Sequence, residues 1–150
     1  MAQSLAQMYV HVVFSTKERY PFIQTDIEPQ LYAYMADTIK RMDGIPCLIN
    51  GTADHVHILA TLPRTVTLAK YIEEIKRPSS CWIKTKNGVC QKFAWQNGYG
   101  AFSVSSSRVD SVKRYIAGQK EHHRTVTFKE ELVEFLQKYH VKYDEQYLWD

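Results

Sequence analysis

The hydrophobic pattern of this 150-residue chain alternates between two periods, and that alternation limits the folds open to it. Segments in which every second residue is apolar are typical of strands, whereas apolar residues spaced three and four apart are typical of helices. In chain order the periods predict strand, helix, strand, strand, helix, one or two short strands, and helix. This order favours an α+β domain, a ferredoxin-like antiparallel sheet with helices packed mainly on one face, plus a C-terminal helix.

The bounds of the predicted elements follow from where each period begins and ends. Asp26 is expected to cap the first helix, Gly44 to end it, and Ser107 to cap the third helix. Pro78 must bend or interrupt the second helix, because proline lacks the amide hydrogen that an interior turn uses. The predicted strands cover residues 9–15, 46–50, 55–62, 92–95 and 101–105. The later helices cover residues 67–85, about 107–123, and 128–139, the last within a C-terminal helical tail at about 127–150.

The composition is that of an ordinary globular protein, and we expect residues 1–150 to form one domain. Charged residues make up 23% of the chain and its net charge is +3, which permits binding to nucleic acid without establishing it. No apolar run approaches the roughly 18 residues that span a bilayer, and the N-terminus lacks the features of a signal peptide. The three cysteines have no CxxC spacing, which argues against a disulfide framework. These features favour a cytoplasmic protein with no membrane partner.

Two histidines occupy alternate positions of the third predicted strand. Alternate residues of a strand share a face, so His55 and His57 project together while Val56 and Ile58 point into apolar packing. Two imidazoles a few ångströms apart can chelate one divalent metal ion. The alternative is a pair of surface histidines on a half-exposed strand.

A tyrosine and a glutamine share one side of the third predicted helix. Tyr115 and Gln119 are four residues apart, so their side chains lie on one face. A metal ion held by His55, His57 and Gln119 would keep open positions for a phosphate oxygen, with the Tyr115 hydroxyl beside that phosphate. Polarisation by the metal would compensate for the weak nucleophilicity of a phenol with a pKa of about 10. Taken alone, Tyr115 is typical of a residue at the rim of the core with its hydroxyl in water. Gln119 alone is typical of an ordinary surface amide.

These motifs, in this order, resemble the HUH single-tyrosine transposases of small bacterial insertion sequences, the TnpA type. The HUH signature (histidine, hydrophobic residue, histidine) is matched by His55-Val56-His57. The similarity extends in order over nearly the whole chain. It includes the segments YVHVVFSTK at 9–17 and FAWQNGYGAFS at 93–103, the helix at 109–119, and Glu121-His122-His123.

The resemblance implies a fold, a site and a substrate. It implies a ferredoxin-like core, an Mg²⁺ or Mn²⁺ ion on His55, His57 and Gln119, and a 5′-phosphotyrosine intermediate on Tyr115. It also implies a homodimer in which the tyrosine helix of one subunit completes the metal site of the other in trans. The implied substrates are hairpins in single-stranded DNA that mark the ends of the mobile element.

Several further side chains are candidates for contact with DNA phosphates, although as surface charges they need no such role. They are Lys17, Arg19, Lys76, Arg77, Arg108, His122 and His123. His11 lies on the first predicted strand, on the face opposite Val10, Val12 and Phe14. If that strand neighbours the third, His11 could lie near the metal. The alternative is a histidine of the sheet whose hydrogen bonds are satisfied without a role at the metal.

Three functions are compatible with these features. The first is a DNA transposase that cleaves and rejoins single-stranded DNA at hairpin-marked element ends. The second is a domesticated or replication-type nickase with the same chemistry but a different substrate. The third is a non-catalytic ferredoxin-like module that binds single-stranded nucleic acid through aromatic side chains. The third has no use for a histidine pair combined with a Tyr/Gln pair, so metal binding separates it from the enzymes.

Overall fold

Four antiparallel strands form one sheet in the computed structural model, which describes residues 2–150. The strands are β1 (Tyr9–Ser15), β2 (Pro46–Thr52), β3 (His55–Thr61) and β4 (Gly100–Val104). Their spatial order is β2-β3-β1-β4, so β1 and β3 are central and paired, with His57 opposite Val13. This order and the helices between the strands confirm the predicted ferredoxin-like plan.

Within residues 2–150, six helices accompany the sheet. They are α1 (Glu28–Arg41), α2 (Leu68–Ile83), α3 (Val109–Ala117), α4 (Gln119–His122), α5 (Phe128–Lys138) and α6 (Glu145–Leu148). Short 3₁₀ turns lie at Lys17–Arg19, Val89–Lys92 and Ser106–Arg108. Over residues 2–150, none of these helices combines the length and the apolar character needed to cross a membrane.

One face of the sheet packs on the two longest helices, α1 and α2. The alternation of β1 and β3 supplies this face, as predicted, because every second residue is apolar and buried. The cluster comprises Val10, Val12, Phe14, Val56, Ile58 and Ala60 of the sheet with Leu31, Met35, Ile39, Tyr71, Ile72 and Ile75 of the helices. It forms the larger core.

The other face of the sheet is covered by α3, α4 and α5. Two smaller apolar clusters hold these helices, one around Val13, Phe102 and Leu132 and one around Leu59 and Ile116. This second layer encloses the polar residues that β1 and β3 present on the same face. The helices therefore lie on both faces, the long pair on one and the later, shorter helices on the other.

Two predicted helix caps and one predicted strand are wrong. Asp26 does not cap α1, because the chain already turns before that helix, with the amide of Glu28 donating to the carbonyl of Gln24. Ser107 does not cap α3, since the 3₁₀ turn Ser106–Arg108 leads into it. The predicted strand at 92–95 is instead the end of the 3₁₀ turn Val89–Lys92 followed by irregular chain, with an isolated bridge from Trp95 to Thr16.

The third predicted helix is broken at Gly118 into α3 and α4. On β2, the Asn50 amide Nδ2 donates to the carbonyl oxygens of Ile116 at 2.8 Å and Ala117 at 3.4 Å. Those carbonyls lie at the end of α3, where a continuing helix would use them for its own amides. The side chain from the sheet thus favours the break and fixes where α4 begins. By contrast, α2 continues through Pro78 as one helix.

Replacing Lys76 with methionine is expected to destabilise the fold by about 2–3 kcal/mol, because its ammonium makes several charge-assisted hydrogen bonds. It donates to the carbonyl oxygens of Gln96, Asn97 and Gly98 at 2.5, 3.2 and 3.0 Å. The free energy of unfolding in urea measures the loss. Lys70→Met on the same helix is the matched control, since Lys70 is 54% exposed and pairs only with Glu73 and Glu74 among the described residues. Equal losses in the two variants would contradict the role of Lys76.

Candidate metal centre and active site

The two predicted metal-ligating histidines lie at the centre of the sheet and are fully buried. His55 and His57 project from β3 toward α3, α4 and α5, with ring centroids 5.3 Å apart. Their burial follows from the position of β3 between β2 and β1 and from the helical layer above it. The alternative of exposed surface histidines is therefore excluded.

Each histidine is oriented by a partner on its Nδ1 atom. His55 Nδ1 lies 2.7 Å from Asp54 Oδ1 and 2.9 Å from the Thr52 hydroxyl. His57 Nδ1 lies 2.7 Å from His11 Nε2 on the neighbouring strand. Both Nε2 atoms are left facing the space under the helices. Such partners fix the ring orientation of metal-binding histidines, so His11 lies in the predicted neighbourhood of the site.

The helix break brings Gln119 to the histidine pair. Gln119 is fully buried at the start of α4, and its Oε1 lies 3.1 Å from His55 Nε2. The structure thus brings the three predicted ligands together. They meet within one chain, without a partner subunit.

A carboxylate that sequence reasoning missed lies at the centre of the site. Glu131 on α5 is 2% exposed, and its Oε1 is 2.8 Å from His57 Nε2 and 3.6 Å from His55 Nε2. Its Oε2 accepts a hydrogen bond from Gln119 Nε2 at 3.2 Å. A sequence signal existed, because Glu131 interrupts the apolar stripe of α5 between Phe128 and Leu132. A single carboxylate within the apolar stripe of a helix does not indicate which distant residues it contacts.

The predicted nucleophile, Tyr115, contacts that carboxylate. Its hydroxyl donates a hydrogen bond to Glu131 Oε2. Burial first, and then the contact with Glu131, raise the pKa of Tyr115 above its ordinary value of 10. The phenol is therefore protonated at neutral pH, with its proton directed at a carboxylate oxygen.

His123 completes the cluster from the loop between α4 and α5. Its Nδ1 lies 2.5 Å from the carbonyl oxygen of Val126, and its Nε2 lies 3.1 Å from Glu131 Oε1. Atoms of His55, His57, His123 and Glu131 that can bind a metal all lie within 4.8 Å of one another. Three nitrogens and a carboxylate oxygen form a donor set typical of divalent transition metals and compatible with harder cations.

The polar atoms of the site fit a divalent cation. The Nε2 atoms of His122 and His123 are buried and make no hydrogen bond of acceptable geometry within residues 2–150. They face Glu131 at 3.4 Å and 3.1 Å respectively, so both imidazole nitrogens are directed at the carboxylate around which a cation would bind. The donor set and the direction of these nitrogens both fit a divalent cation.

The electrostatics favour the metal-binding forms of His57 and Glu131. Burial lowers the pKa of His57 to about 4, and burial together with His57 lowers that of His11 to about 3. Burial alone would raise the pKa of Glu131, but His123, His57 and Tyr115 outweigh it and hold the pKa well below its ordinary value. At neutral pH His11 and His57 are therefore neutral imidazoles, and Glu131 is an ionised carboxylate.

The metal-free protein is expected to lose about 2 kcal/mol or more of stability between pH 7 and pH 5. His11 and His57 have folded pKa values below the ordinary 6.5, so the unfolded chain binds more protons in this range and stability falls as the pH falls. The raised pKa of His123 opposes part of this loss, because burial lowers it but Glu131 and Val126 outweigh the burial. Urea unfolding in EDTA at both pH values measures the change. A stability at pH 5 equal to that at pH 7 would contradict the assignment of buried neutral histidines.

The seven predicted DNA-contacting residues are dispersed over the molecule. Arg19 donates to the carbonyl oxygen of Trp149 at 2.9 Å, and Arg77 pairs with Glu73 on its own helix. Lys17 follows β1, and Lys76 holds the 96–98 loop. Of the other three, His122 and His123 lie beside Glu131, and Arg108 lines a cleft that Tyr115 also borders.

Comparison with known proteins identifies the family and the fold of this chain. The family model described as "Transposase IS200 like" matches residues 4–119. No curated protein matches the chain significantly. A solved structure from Deinococcus radiodurans R1, assigned as a transposase, aligns with a TM-score of 0.62 at 16% identity and covers 79% of this chain and 98% of its own. A REP-associated tyrosine transposase bound to a REP hairpin aligns with a TM-score of 0.59 at 16% identity, covering 84% of this chain and 76% of its own.

The two structural neighbours establish the fold, and the family model, which spans more than three quarters of the sequence, establishes the family. Its matched region contains β1 to β4, both histidines of β3, and α3 with Tyr115, and it ends at Gln119. The chain belongs to the IS200-like transposase family.

Proposed function

We propose that this transposase cleaves and rejoins single-stranded DNA through a 5′-phosphotyrosine intermediate on Tyr115, with a divalent metal ion as cofactor. The observation that carries the proposal is the meeting of the Tyr115 hydroxyl with Glu131, which also contacts the His55 and His57 pair. A core packing role for Tyr115 would not require a hydrogen bond to a buried carboxylate surrounded by histidines.

His55 and His57 would hold the metal ion, Mg²⁺ or Mn²⁺, with oxygen from Gln119 or Glu131 and nitrogen from His123 completing the set. When bound, the ion supplies Lewis-acid polarisation of the scissile phosphate. Asp54 and His11 fix the orientation of the two imidazole rings through their contacts with the Nδ1 atoms.

The covalent step follows from the contacts of Tyr115. Its oxygen attacks the phosphorus, a Tyr115 O–P bond forms, and the P–O3′ bond to the upstream nucleotide breaks. The phenol proton passes to Glu131 Oε2, which already accepts the hydrogen bond, and it is returned through a water molecule to the departing O3′, so that no net proton is gained or lost. The phosphodiester energy is kept in the new bond, so attack by a 3′-hydroxyl in the reverse direction rejoins the strand without ATP.

The substrate we propose is a hairpin-marked end of single-stranded DNA. The sequence resemblance supports it, and so does the structural similarity to a transposase bound to a REP hairpin. The homodimer with sites completed in trans remains a prediction. Here α3 and α4 meet the histidines of their own chain, so exchange into a partner would require Asn50 and Lys120 to release their contacts around Gly118.

The test is covalent capture of DNA. The protein is incubated with labelled single-stranded hairpin oligonucleotides and Mn²⁺, and a denaturing gel separates a protein–DNA adduct. We expect an adduct with Mn²⁺ or Mg²⁺ and a fall to background in EDTA. Mass spectrometry of the digested adduct should locate the DNA on the peptide that contains Tyr115.

The outcomes separate the candidate functions. An adduct with joining of a second strand supports the transposase, whereas an adduct with cleavage alone supports the nickase. DNA binding with neither an adduct nor metal binding would leave the non-catalytic module as the function and would contradict the proposal.

A further inference from the structure

A cleft of about 640 Å³ opens beside Tyr115 between α3 and α5. Its floor is formed by His11 of β1 and by Ser103, Val104 and Ser105 at the end of β4. Its walls combine cationic, hydroxyl and aromatic side chains of the two helices. They include Arg108, Tyr115, Glu131, Glu134, Lys138 and Tyr139.

The helical spacing gives the cleft a direction. Arg108 precedes Tyr115 by seven residues and Lys138 follows Glu131 by seven, and seven residues make two turns, or about 10 Å. Arg108 and Lys138 line the same cleft as Tyr115 and Glu131, and this spacing places both cations about two turns from the reacting phenol, at the outer end. The cleft thus begins at the candidate active site and ends between two positive charges.

An exposed aromatic ring lies at that outer end. Tyr139 is 41% exposed, and its ring stacks on Phe102 at 4.9 Å between centroids with 22° between planes. Phe135 lies nearly parallel to it, with its centroid 6.4 Å away. An aromatic stack with an accessible outer ring is the kind of platform on which unpaired bases stack.

We infer that this cleft binds the unpaired nucleotide on the 3′ side of the scissile phosphate. The inference rests on the proposed function and specifies how that site holds its substrate. The base stacks on Tyr139, and the next phosphate lies between Arg108 and Lys138. Of the two carboxylates that line the cleft, Glu131 lies at the inner end against His57, so only the exposed Glu134 opposes the two cations.

The chemistry of the step selects the 3′ side. Attacking and leaving oxygens lie roughly in line across the phosphorus, so the leaving 5′-side nucleotide departs away from Tyr115. The 3′-side nucleotide keeps the phosphate. Its bridging 5′ oxygen extends from the phosphorus at an angle to the line between the attacking and leaving oxygens. This nucleotide is therefore the one that reaches a cleft bordered by Tyr115 itself.

The experiment uses binding without cleavage. The full chain with Tyr115→Phe is mixed with an oligothymidylate octamer carrying one 5-iodo-deoxyuridine, a base that cross-links to an aromatic ring stacked on it. Irradiation and peptide mapping should place the cross-link on Tyr139, and Tyr139→Leu should abolish it. Tyr139→Leu should also weaken binding of the octamer about tenfold. Tyr147→Leu, at a ring 61% exposed on α6, is the matched control and should change neither result.

A second variant tests the phosphate contact. Arg108→Gln should weaken binding of the octamer. It should also lower the slope of log Kd against log salt concentration by about one, the value for one lost phosphate contact. Arg64→Gln, on the exposed loop before α2, should change neither quantity. Cross-links that map away from Tyr139, or an unchanged salt dependence, would overturn the inference.

Failure of the proposed function has a different signature, since wild-type protein would then form no adduct even with the base cross-linked to Tyr139. The 3′ assignment is wrong if hairpin oligonucleotides that form the adduct cross-link to Tyr139 only from the 5′ side.

Discussion

A Tyr115→Phe variant is expected to form no covalent adduct with DNA while it keeps its fold and binds single-stranded DNA. The substitution removes only the hydroxyl, which supplies both the attacking oxygen and the hydrogen bond to Glu131. Phenylalanine cannot form a phosphodiester, so adduct formation should fall to background. Because the buried carboxylate loses one donor, we expect a stability cost of about 1 kcal/mol. Denaturing gels measure the adduct and urea unfolding measures the stability.

The matched control is Tyr147→Phe, which makes the same chemical change at a ring exposed on α6. It should leave the rate of adduct formation within about twofold of the wild type, because surface changes far from a site have little effect. An adduct that persists in Tyr115→Phe would show that another residue is the nucleophile. Total loss of folded protein in that variant would mean that Tyr115 is primarily structural.

A Glu131→Gln variant is expected to slow adduct formation by about 10²–10⁴-fold at neutral pH. General-base catalysis by a positioned side chain contributes about this factor, and glutamine cannot take the phenol proton. The variant should also bind Mn²⁺ at least about tenfold more weakly, since the change removes a negative charge 2.8 Å from His57 Nε2. Single-turnover kinetics and calorimetric titration with Mn²⁺ measure the two effects separately.

Glu74→Gln provides the control, because Glu74 is 39% exposed on α2 and pairs with Lys70 on that helix. Its adduct rate and metal affinity should match those of the wild type. The opposite result for Glu131→Gln is equally informative. If the variant forms adducts faster than the wild type, the carboxylate occupies the place of the metal ion and blocks it, and the ligand and proton-acceptor roles are wrong.

The predicted fold was largely correct because it depended on local patterns. The alternation in β1 and β3 identified the faces of the central strands, and the ferredoxin-like order of the sheet is confirmed. The errors occur where a distant residue decides the local structure. Asn50 on β2 donates hydrogen bonds to carbonyl oxygens at the end of α3. No pattern within residues 107–123 could reveal the resulting helix break at Gly118.

The amino-acid sequence by itself determined that His55 and His57 share a strand face and that Tyr115 and Gln119 share a helix side, because both relations depend only on the repeat of one element. Tertiary structure alone decided which elements meet. It placed Glu131 of α5 between the tyrosine and the histidines, set His11 behind His57, and stacked Tyr139 on Phe102. Periodicity specifies the direction in which a side chain points, whereas the partner that it reaches depends on how distant elements pack.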